Sequence, residues 1–312
     1  MSSFVHYSVL LHESVDGLNI KEDGVYFDCT AGAGGHSLEI AKHLSQQGKL
    51  VAIDQDERAI RAAKERLADY SDRVVMVHSN FSFAQSIAES LNIESVNGAV
   101  IDLGVSSYQL DTAERGFAYS QEAVLDMRMD QNAKLTAYDV VNFYDEDRIK
   151  KILFEYGEEK FAPQIARAIV KEREQKPIET TTELVEVIKR TIPMKAQVGG
   201  HHPAKRSFQA IRIEVNNELA IIEPTLRALV DLLAPGGRLS VITFHSLEDR
   251  IVKQTFSDLS SGCVCPPGFP VCVCGKKPVV KLINKKPILP SDKELEENPR
   301  SRSAKLRIIE KL

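Results

Sequence analysis

Residues 26–37 read "YFDCTAGAGGHS", and this stretch decides the fold. An apolar run ends in an acid, passes through glycines and leads into "LEIAKHL" (38–44), which repeats apolar residues at helical spacing. Ser37 is predicted to cap that helix. A strand, a glycine turn and a helix start in this order predict a βα unit whose turn lies close to a ligand.

The same alternation of apolar strands and amphipathic helices continues along the chain. It predicts an α/β fold with a Rossmann-like, doubly wound parallel sheet and right-handed crossovers. One continuous helix is expected over 207–233. The further predicted strands are "KLVAIDQD" (49–56), "RVVMVHSN" (73–80), "NGAVIDLGVSS" (97–107), "RLSVITFHS" (238–246) and "SAKLRIIEKL" (303–312).

The alternation of strands and helices is interrupted between residues 111 and 204, where the sequence contains no convincing strand. Only helical patterns occur there, for example "DEDRIKKILFEYG" (145–157) and "TTELVEVIKRTI" (181–192). We therefore predict an all-helical insertion at 111–204. It interrupts a single α/β domain made of residues 1–110 and 205–312.

Composition indicates an ordinary globular protein. The chain has 312 residues, 43% of them hydrophobic and 27% charged, with a net charge of −4. No apolar run approaches the ~20 residues of a membrane span, and no signal peptide is recognisable, so a cytoplasmic protein is expected. Basic residues are nevertheless concentrated locally. Residues 187–213 carry six Lys or Arg and no acid, which suits a phosphate-contacting face or simply a solvated surface.

The ligand can be narrowed by elimination. A P-loop would place Lys after the glycines, where this chain has Gly35 and His36, and a dinucleotide fingerprint would need a third, spaced glycine. Asp54 ends the second strand at the distance typical of a ribose-binding acid, and Asp102 ends the fourth. A glycine turn, an acid that can bind ribose hydroxyls and the absence of a phosphate-binding lysine suit S-adenosyl-L-methionine, a ribonucleoside with an amino-acid tail. A plain strand–turn–helix is the alternative.

Several longer blocks resemble one known family. They include "DLGVSSYQLD" (102–111), "DMRMD" (126–130), "KRSFQAIRIEVN" (205–216) and "FHSLEDR" (244–250). In these the chain resembles the bacterial small-subunit ribosomal RNA methyltransferases known as the MraW family, over essentially its whole length. The resemblance implies methyl transfer from S-adenosyl-L-methionine to the exocyclic N4 of a cytidine in the decoding region of 16S ribosomal RNA. It also implies a methyltransferase domain interrupted by a helical substrate-recognition domain.

The resemblance further implies which residues contact the cofactor. Tyr108 departs from the family, which commonly has proline there, and leaves the following glutamine in register. Asp54 would accept the ribose hydroxyls, and Phe81 would stack on adenine or serve only as a core aromatic. The implied cofactor contacts are Gly34, Gly35, His36, Asp54, Phe81, Asp102 and Gln109.

The chemistry asks for little beyond alignment and an acceptor for the target amine. Many amino-methyltransferases carry an Asn/Asp-Pro-Pro-aromatic segment after the fourth strand, and this chain lacks the prolines. The candidate acceptors are therefore Asp102, an oxygen of Ser106 or Ser107, or a main-chain carbonyl. His245, after the fifth strand, is either a proton acceptor acting through water or a structural histidine.

The cysteine-rich segment "CVCPPGFPVCVC" (263–274) is a separate question. Its four thiols could bind a structural zinc ion, although the usual C-x-x-C spacing is absent. The sequence favours reduced surface cysteines or a redox-labile pair over zinc. The residues concerned are Cys263, Cys265, Cys272 and Cys274.

RNA contacts are expected from two basic segments. "KAQVGGHHPAKRS" (195–207) is predicted to be flexible and to bring Lys205 and Arg206 to phosphates, and Arg300 and Arg302 offer a second row with the basic residues that follow. The expected partner is small-subunit ribosomal RNA in an assembled or nearly assembled subunit, with a homodimer left open and no membrane. The alternatives are a methyltransferase for another RNA or DNA amino group, a nicotinamide oxidoreductase, and a non-catalytic ribosome-binding module.

Overall fold

The computed structural model describes residues 8–197, 202–263, 265 and 274–312. The chain forms two compact units. The first holds the chain up to Gly104 and again from Leu219 onwards, and the second is Val105–Glu218. The second unit is therefore wider at both ends than the predicted insertion at 111–204.

The first unit is built on one sheet, which has seven strands among the described residues, in the order β3-β2-β1-β4-β5-β7-β6. Strands β1 to β5 are parallel, and β7 runs antiparallel between β5 and β6, so the predicted Rossmann-like sheet is confirmed. Only β6 was not predicted, because three residues give too short a pattern. The strands are β1 Val25–Asp28, β2 Lys49–Asp54, β3 Val74–His78, β4 Val96–Asp102, β5 Leu233–Thr243, β6 Val280–Leu282 and β7 Lys305–Lys311.

Helices cover the sheet and build most of the second unit. None of those in the described ranges is long and apolar enough to cross a membrane. Short 3-10 turns lie at Ala68–Tyr70, Phe81–Phe83, Ala113–Arg115 and Pro299–Ser303. The α-helices are α1 Leu11–Gly17, α2 Gly35–His43, α3 Glu57–Arg66, α4 Ala84–Ser90, α5 Ser107–Asp111, α6 Ala137–Phe143, α7 Glu146–Glu155, α8 Ala162–Arg173, α9 Thr181–Thr191, α10 Met194–Gln197, α11 Lys205–Asn216, α12 Ile222–Leu232, α13 Ser246–Ser260 and α14 Asp292–Glu297.

Both faces of the sheet are buried, which explains why its strands are continuously apolar. Tyr26 packs into a cluster with residues of α1, α2 and α3, whereas the next residue, Phe27, packs into a cluster with α4, α12 and α13. Leu50 and Val51 repeat this alternation in β2. The carboxyl ends of the strands are thereby left as the edge at which a ligand can bind.

The predicted helix over 207–233 is wrong as a single element. Asn217 adopts a left-handed conformation, φ 51°, which ends α11, and α12 starts only at Ile222. Phe208 and Ile211 of α11 are buried in the core of the second unit, together with residues of α6 to α9. The apolar face of α11 therefore holds residues 205–218 in the second unit, although the sequence analysis assigned them to the α/β domain.

Candidate functional site

The glycine loop after β1 is held against the end of β2. Ala31 donates its amide to the carbonyl of Ile53 at 2.8 Å, and Gly32 donates its amide to the Asp54 carboxylate at 2.8 Å. Gly32 and Gly34 both have positive φ, 52° and 80°, a region that glycine reaches without strain. The amides of Ala31 and Gly32 therefore hold the loop in a fixed geometry against the end of β2.

Asp54 lies at the centre of this arrangement. Its Oδ2 accepts the Gly32 bond, and its Oδ1 accepts the amide of Asp56 at 2.8 Å. Burial raises the pKa of Asp54 to about 6, and these two hydrogen bonds only partly oppose the rise. Each carboxylate oxygen can accept a second bond, so Asp54 retains the capacity to bind a pair of hydroxyl groups.

A second buried acid, Asp28, was not selected by the sequence analysis. It ends β1, is fully buried, and accepts bonds from Ser37 Oγ at 2.6 Å and the Thr30 amide at 3.2 Å. Burial raises its pKa to about 6 as well. The predicted capping role of Ser37 is therefore wrong: α2 starts at Gly35, and the Ser37 hydroxyl is used by Asp28. An acid at the end of a buried strand is the signal that also marked Asp54 and Asp102.

Asp102 differs from the other two acids in its hydrogen bonding. Its amide donates to Thr30 Oγ1 at 2.6 Å, which joins the ends of β4 and β1. Its carboxylate Oδ1 is buried and accepts no hydrogen bond from the described residues. Burial, reinforced by the charges of Asp28, Glu248 and Glu294, raises the pKa of Asp102 well above its usual range. A buried acceptor without a donor is costly, so this oxygen is the best candidate for a ligand contact.

The predicted cofactor residues Gly34, Gly35 and His36 lie at the start of α2. A Cβ on Gly34 would lie 3.3 Å from Ala63 of α3, and one on Gly35 would lie 1.8 Å from Ser8 Oγ. His36 is buried, with Nε2 3.2 Å from the carbonyl of Val9. The glycines are thus required by the packing of the protein itself, and any ligand contact at these positions is left to the main chain.

Phe81 begins the 3-10 turn after β3 and is half-buried. One side of its environment is the core shared by α4 and α12. The preceding Asn80 holds the turn, since its Oδ1 accepts the Ser82 amide at 2.9 Å and its Nδ2 donates to Gln55 Oε1 at 2.7 Å. The ring is therefore fixed in place with part of its surface available.

His245 and its motif have a structural role. His245 is the N-cap of α13, where Nδ1 accepts the amide of Glu248 at 3.4 Å, and Nε2 lies 3.1 Å from Glu248 Oε1. The Glu248 carboxylate accepts the amide of Phe244 at 2.7 Å. The cap accounts for Nδ1 of His245, whereas Nε2 is buried and has no hydrogen bond among the described residues, so the predicted role in proton transfer through water stays a prediction.

Ser106 and Gln109 belong to the second unit, in which they form a capping box at the start of α5. Ser106 Oγ accepts the Gln109 amide at 3.2 Å, and Gln109 Oε1 accepts the Ser106 amide at 3.1 Å. The Ser106 oxygen therefore accepts one bond from the backbone and keeps the capacity to accept another. Tyr108, between them, is 47% exposed.

The basic residues fall into two groups. Lys205 and Arg206 are exposed in the first turn of α11 and form no ion pair among the described residues; Arg206 donates to the carbonyl of Glu158 at 2.9 Å. Part of the flexible segment predicted before them, 198–201, lies outside the described residues. Arg300 and Arg302 are exposed in the 3-10 turn before β7.

The second basic row is shorter than expected. Lys305 and Arg307 were grouped with it, but both bind Asp249, at 3.1 and 2.7 Å. The Arg307 side chain is only 10% exposed. These two cations therefore link β7 to α13 through Asp249, and the Lys305 side chain stays 39% exposed.

The sequence closely matches one family. The MraW methylase family matches residues 3–312. The protein named ribosomal RNA small subunit methyltransferase H from Clostridium botulinum (strain Kyoto / Type A2) is 60% identical over 309 residues, covering 99% of each chain. The proteins of the same name from Brevibacillus brevis and Clostridioides difficile are 57% and 56% identical, again over 99% of each chain.

We predict that Asp102→Asn stabilises the ligand-free protein at pH 7. A neutral amide costs less to bury than an unpartnered carboxylate, so the gain should be about 1–3 kcal/mol in the free energy of unfolding. Because the folded-state pKa of Asp102 lies above its usual 3.8, the wild type loses stability as the pH rises from about 4 to neutrality. Asparagine does not titrate, so the gain should shrink towards pH 4. Urea unfolding at both pH values measures this, and a less stable variant at pH 7 would contradict it.

Proposed function

Because the chain belongs to the MraW methylase family, we propose that it methylates the exocyclic N4 of a cytidine in the decoding region of 16S ribosomal RNA. It is a methyltransferase, and its methyl donor is S-adenosyl-L-methionine. Family membership excludes the nicotinamide oxidoreductase alternative. Relatives at 56–60% identity, named for methylation of small-subunit ribosomal RNA, support the substrate class.

The electrostatics of the strand ends support the cofactor. Asp28, Asp54 and Asp102 end three adjacent strands, and burial raises the pKa of all three. Three carboxylates in a buried position favour a cationic ligand, because a nearby positive charge stabilises their ionised forms. The sulfonium and ammonium groups of S-adenosyl-L-methionine supply such charge. Asp54 would bind the ribose hydroxyls through the acceptor capacity that its main-chain bonds leave.

The observation that carries the proposal is the unpartnered Oδ1 of Asp102. An exocyclic amine is the donor that fits it, and both the adenine of the cofactor and the target cytosine carry one. Following the family resemblance, we assign Asp102 to the adenine amine. The remaining candidates for the acceptor of the target amine are an oxygen of Ser106 or Ser107 and a main-chain carbonyl; Ser106 Oγ already accepts one bond, in the cap of α5, and can accept a second. The cofactor contact of Gln109 stays a prediction.

Methyl transfer needs little further from the protein. Bound S-adenosyl-L-methionine supplies a methyl group already activated by the sulfonium charge. The chain's own residues would orient the cofactor through Asp54 and the glycine-loop amides, and place the target amine in line with the methyl group. A cytidine paired or stacked in RNA would first have to be turned outwards.

Lys205 and Arg206 are the best-supported RNA contacts. A positive charge at the N-terminus of a helix is unfavourable because it opposes the helix dipole, so two cations in the first turn of α11 do not serve helix stability. Neither is neutralised by an acid among the described residues. Phosphates would supply the missing negative charge. Arg300 and Arg302 are proposed as a second contact.

The function is tested by nucleoside mass spectrometry of 16S ribosomal RNA. RNA from cells lacking this protein should lose N4-methylation at one cytidine, and the purified protein with S-adenosyl-L-methionine should restore it. Assembled small subunits and free RNA should be compared as substrates in the same assay. Unchanged methylation in the deletion strain, together with no transfer in vitro, would support the non-catalytic alternative.

Asp54→Ala should weaken cofactor binding. Hydrogen bonds to a charged group contribute about 1.5–3 kcal/mol, so affinity should fall about ten- to a hundredfold in calorimetry. Because the change also removes the bond to Gly32, the measurement needs a cofactor product analogue without ribose hydroxyls. The wild type and the Asp54→Ala variant should bind that analogue with the same weak affinity, because neither complex contains the ribose hydrogen bonds. Asp69→Ala, at an exposed acid in the 3-10 turn after α3, is the control and should leave affinity unchanged.

Changing Lys205 and Arg206 together to Ala should raise the KM for RNA and leave cofactor affinity unchanged. Two lost phosphate contacts should flatten the salt dependence of RNA binding by about 1.4–1.8 log units per log unit of salt. The matched control changes Lys176 and Arg190, which already pair with acids in the same unit, at 2.7 and 3.0 Å. An equal effect of both double variants on the salt slope would contradict the assignment.

A further inference from the structure

Three cysteine sulfurs converge in the segment between α13 and β6. The Sγ atoms of Cys263, Cys265 and Cys274 all lie within 4.8 Å of one another. Those of Cys263 and Cys274 are 3.7 Å apart, and the amide of Cys265 donates to Cys263 Sγ at 3.4 Å. Cys263 follows the end of α13 by three residues, whereas Cys274 approaches β6 from the other side.

The spacing of the sulfurs agrees with shared ligation of one metal ion. Zinc–thiolate bonds of about 2.3 Å in tetrahedral geometry place neighbouring sulfurs about 3.8 Å apart. A disulfide requires about 2.05 Å between the two sulfurs, and it would leave the third thiol without a role. Three thiols at this spacing lose their protons when they bind a metal ion, and the cation then neutralises the mutual repulsion of the thiolates. A main-chain amide directed at sulfur also favours the thiolate form that a metal requires.

Contacts outside the cysteines hold the two ends of the segment together. Lys276 Nζ lies 2.8 Å from Asp258 Oδ1, and the amide of Val279 donates to the carbonyl of Leu259 at 3.0 Å. Arg227 of α12 binds the other oxygen of Asp258, at 2.8 Å. These contacts are independent of any metal. They reduce the conformational entropy lost on ligation, so the site is partly preorganised.

We propose that Cys263, Cys265 and Cys274 bind a structural zinc ion through their thiolates. Soft sulfur ligands select zinc over the harder divalent cations. The ion closes the segment between α13 and β6 and so fixes the end of the sheet at which β6 pairs with β7. Cys272, the fourth cysteine of the sequence motif, lies outside the described residues, and no role is assigned to it. From the sequence alone, reduced or redox-labile cysteines are favoured, because the usual C-x-x-C spacing is absent.

The test uses the full-length protein, purified under reducing conditions without chelators from zinc-supplemented cells. Plasma mass spectrometry should find about one zinc ion per chain. The Cys263→Ser, Cys274→Ser double variant should contain almost none. Cys29→Ala, which removes the buried thiol after β1, is the matched control and should retain the metal.

A second measurement does not depend on a variant that folds. Metal-free wild type titrated with cobalt(II) should develop the visible bands of a tetrahedral thiolate site, and added zinc should abolish them. Zinc removal should also lower the melting temperatures of the wild type and of the Cys29→Ala protein by about the same amount, because both retain the three thiols. Metal-free wild type that takes up neither ion, or a double variant that retains zinc, would overturn the proposal.

Discussion

The hydrogen bond from the Gly32 amide to the Asp54 carboxylate is the interaction on which the ligand-binding edge depends. It joins the loop after β1 to the end of β2, the strand beside it in the sheet. The amide of Asp102 forms the matching link on the other side, to the Thr30 hydroxyl at 2.6 Å. Together these bonds fix three adjacent strand ends in one geometry. A rigid edge of this kind can position a cofactor without reorganising when it binds.

This geometry concentrates negative charge in a buried place. Burial raises the pKa of Asp28 and of Asp54 to about 6. Burial also raises the pKa of Asp102 well above its usual range, and the charges of neighbouring acids raise it further. A protein selected only for stability would not keep an unpartnered carboxylate oxygen there. The proposed binding of a positively charged cofactor at this edge would relieve these unfavourable electrostatics.

The most distinctive sequence motifs serve the architecture more than the chemistry. His245 and Glu248 cap α13 reciprocally, and Asp249 binds the two cations of β7. In the second unit, Asn216 of α11 accepts the amide of Met129 at 2.7 Å and donates to the carbonyl of Met127 at 2.8 Å. A motif can therefore identify a family reliably while its residues hold helices and strands together.

The sequence by itself determined the parallel sheet and the edge at which its strands end, and it predicted a helical insertion. Those follow from local periodicity and from the rule that parallel strands end on the same side of a sheet. It did not determine which hydroxyl caps which helix, since Ser37 could bond to its own helix or to Asp28, and only packing makes the choice. Nor did it show that α11 ends at Asn217, because a left-handed asparagine leaves no mark on the hydrophobic pattern. Lys305 and Arg307 pair with Asp249, which lies 56 and 58 residues earlier in the sequence. The sulfurs of Cys263 and Cys274, which are 11 residues apart in the sequence, meet in the same way. Such contacts exist only once the tertiary structure has brought their backbones together.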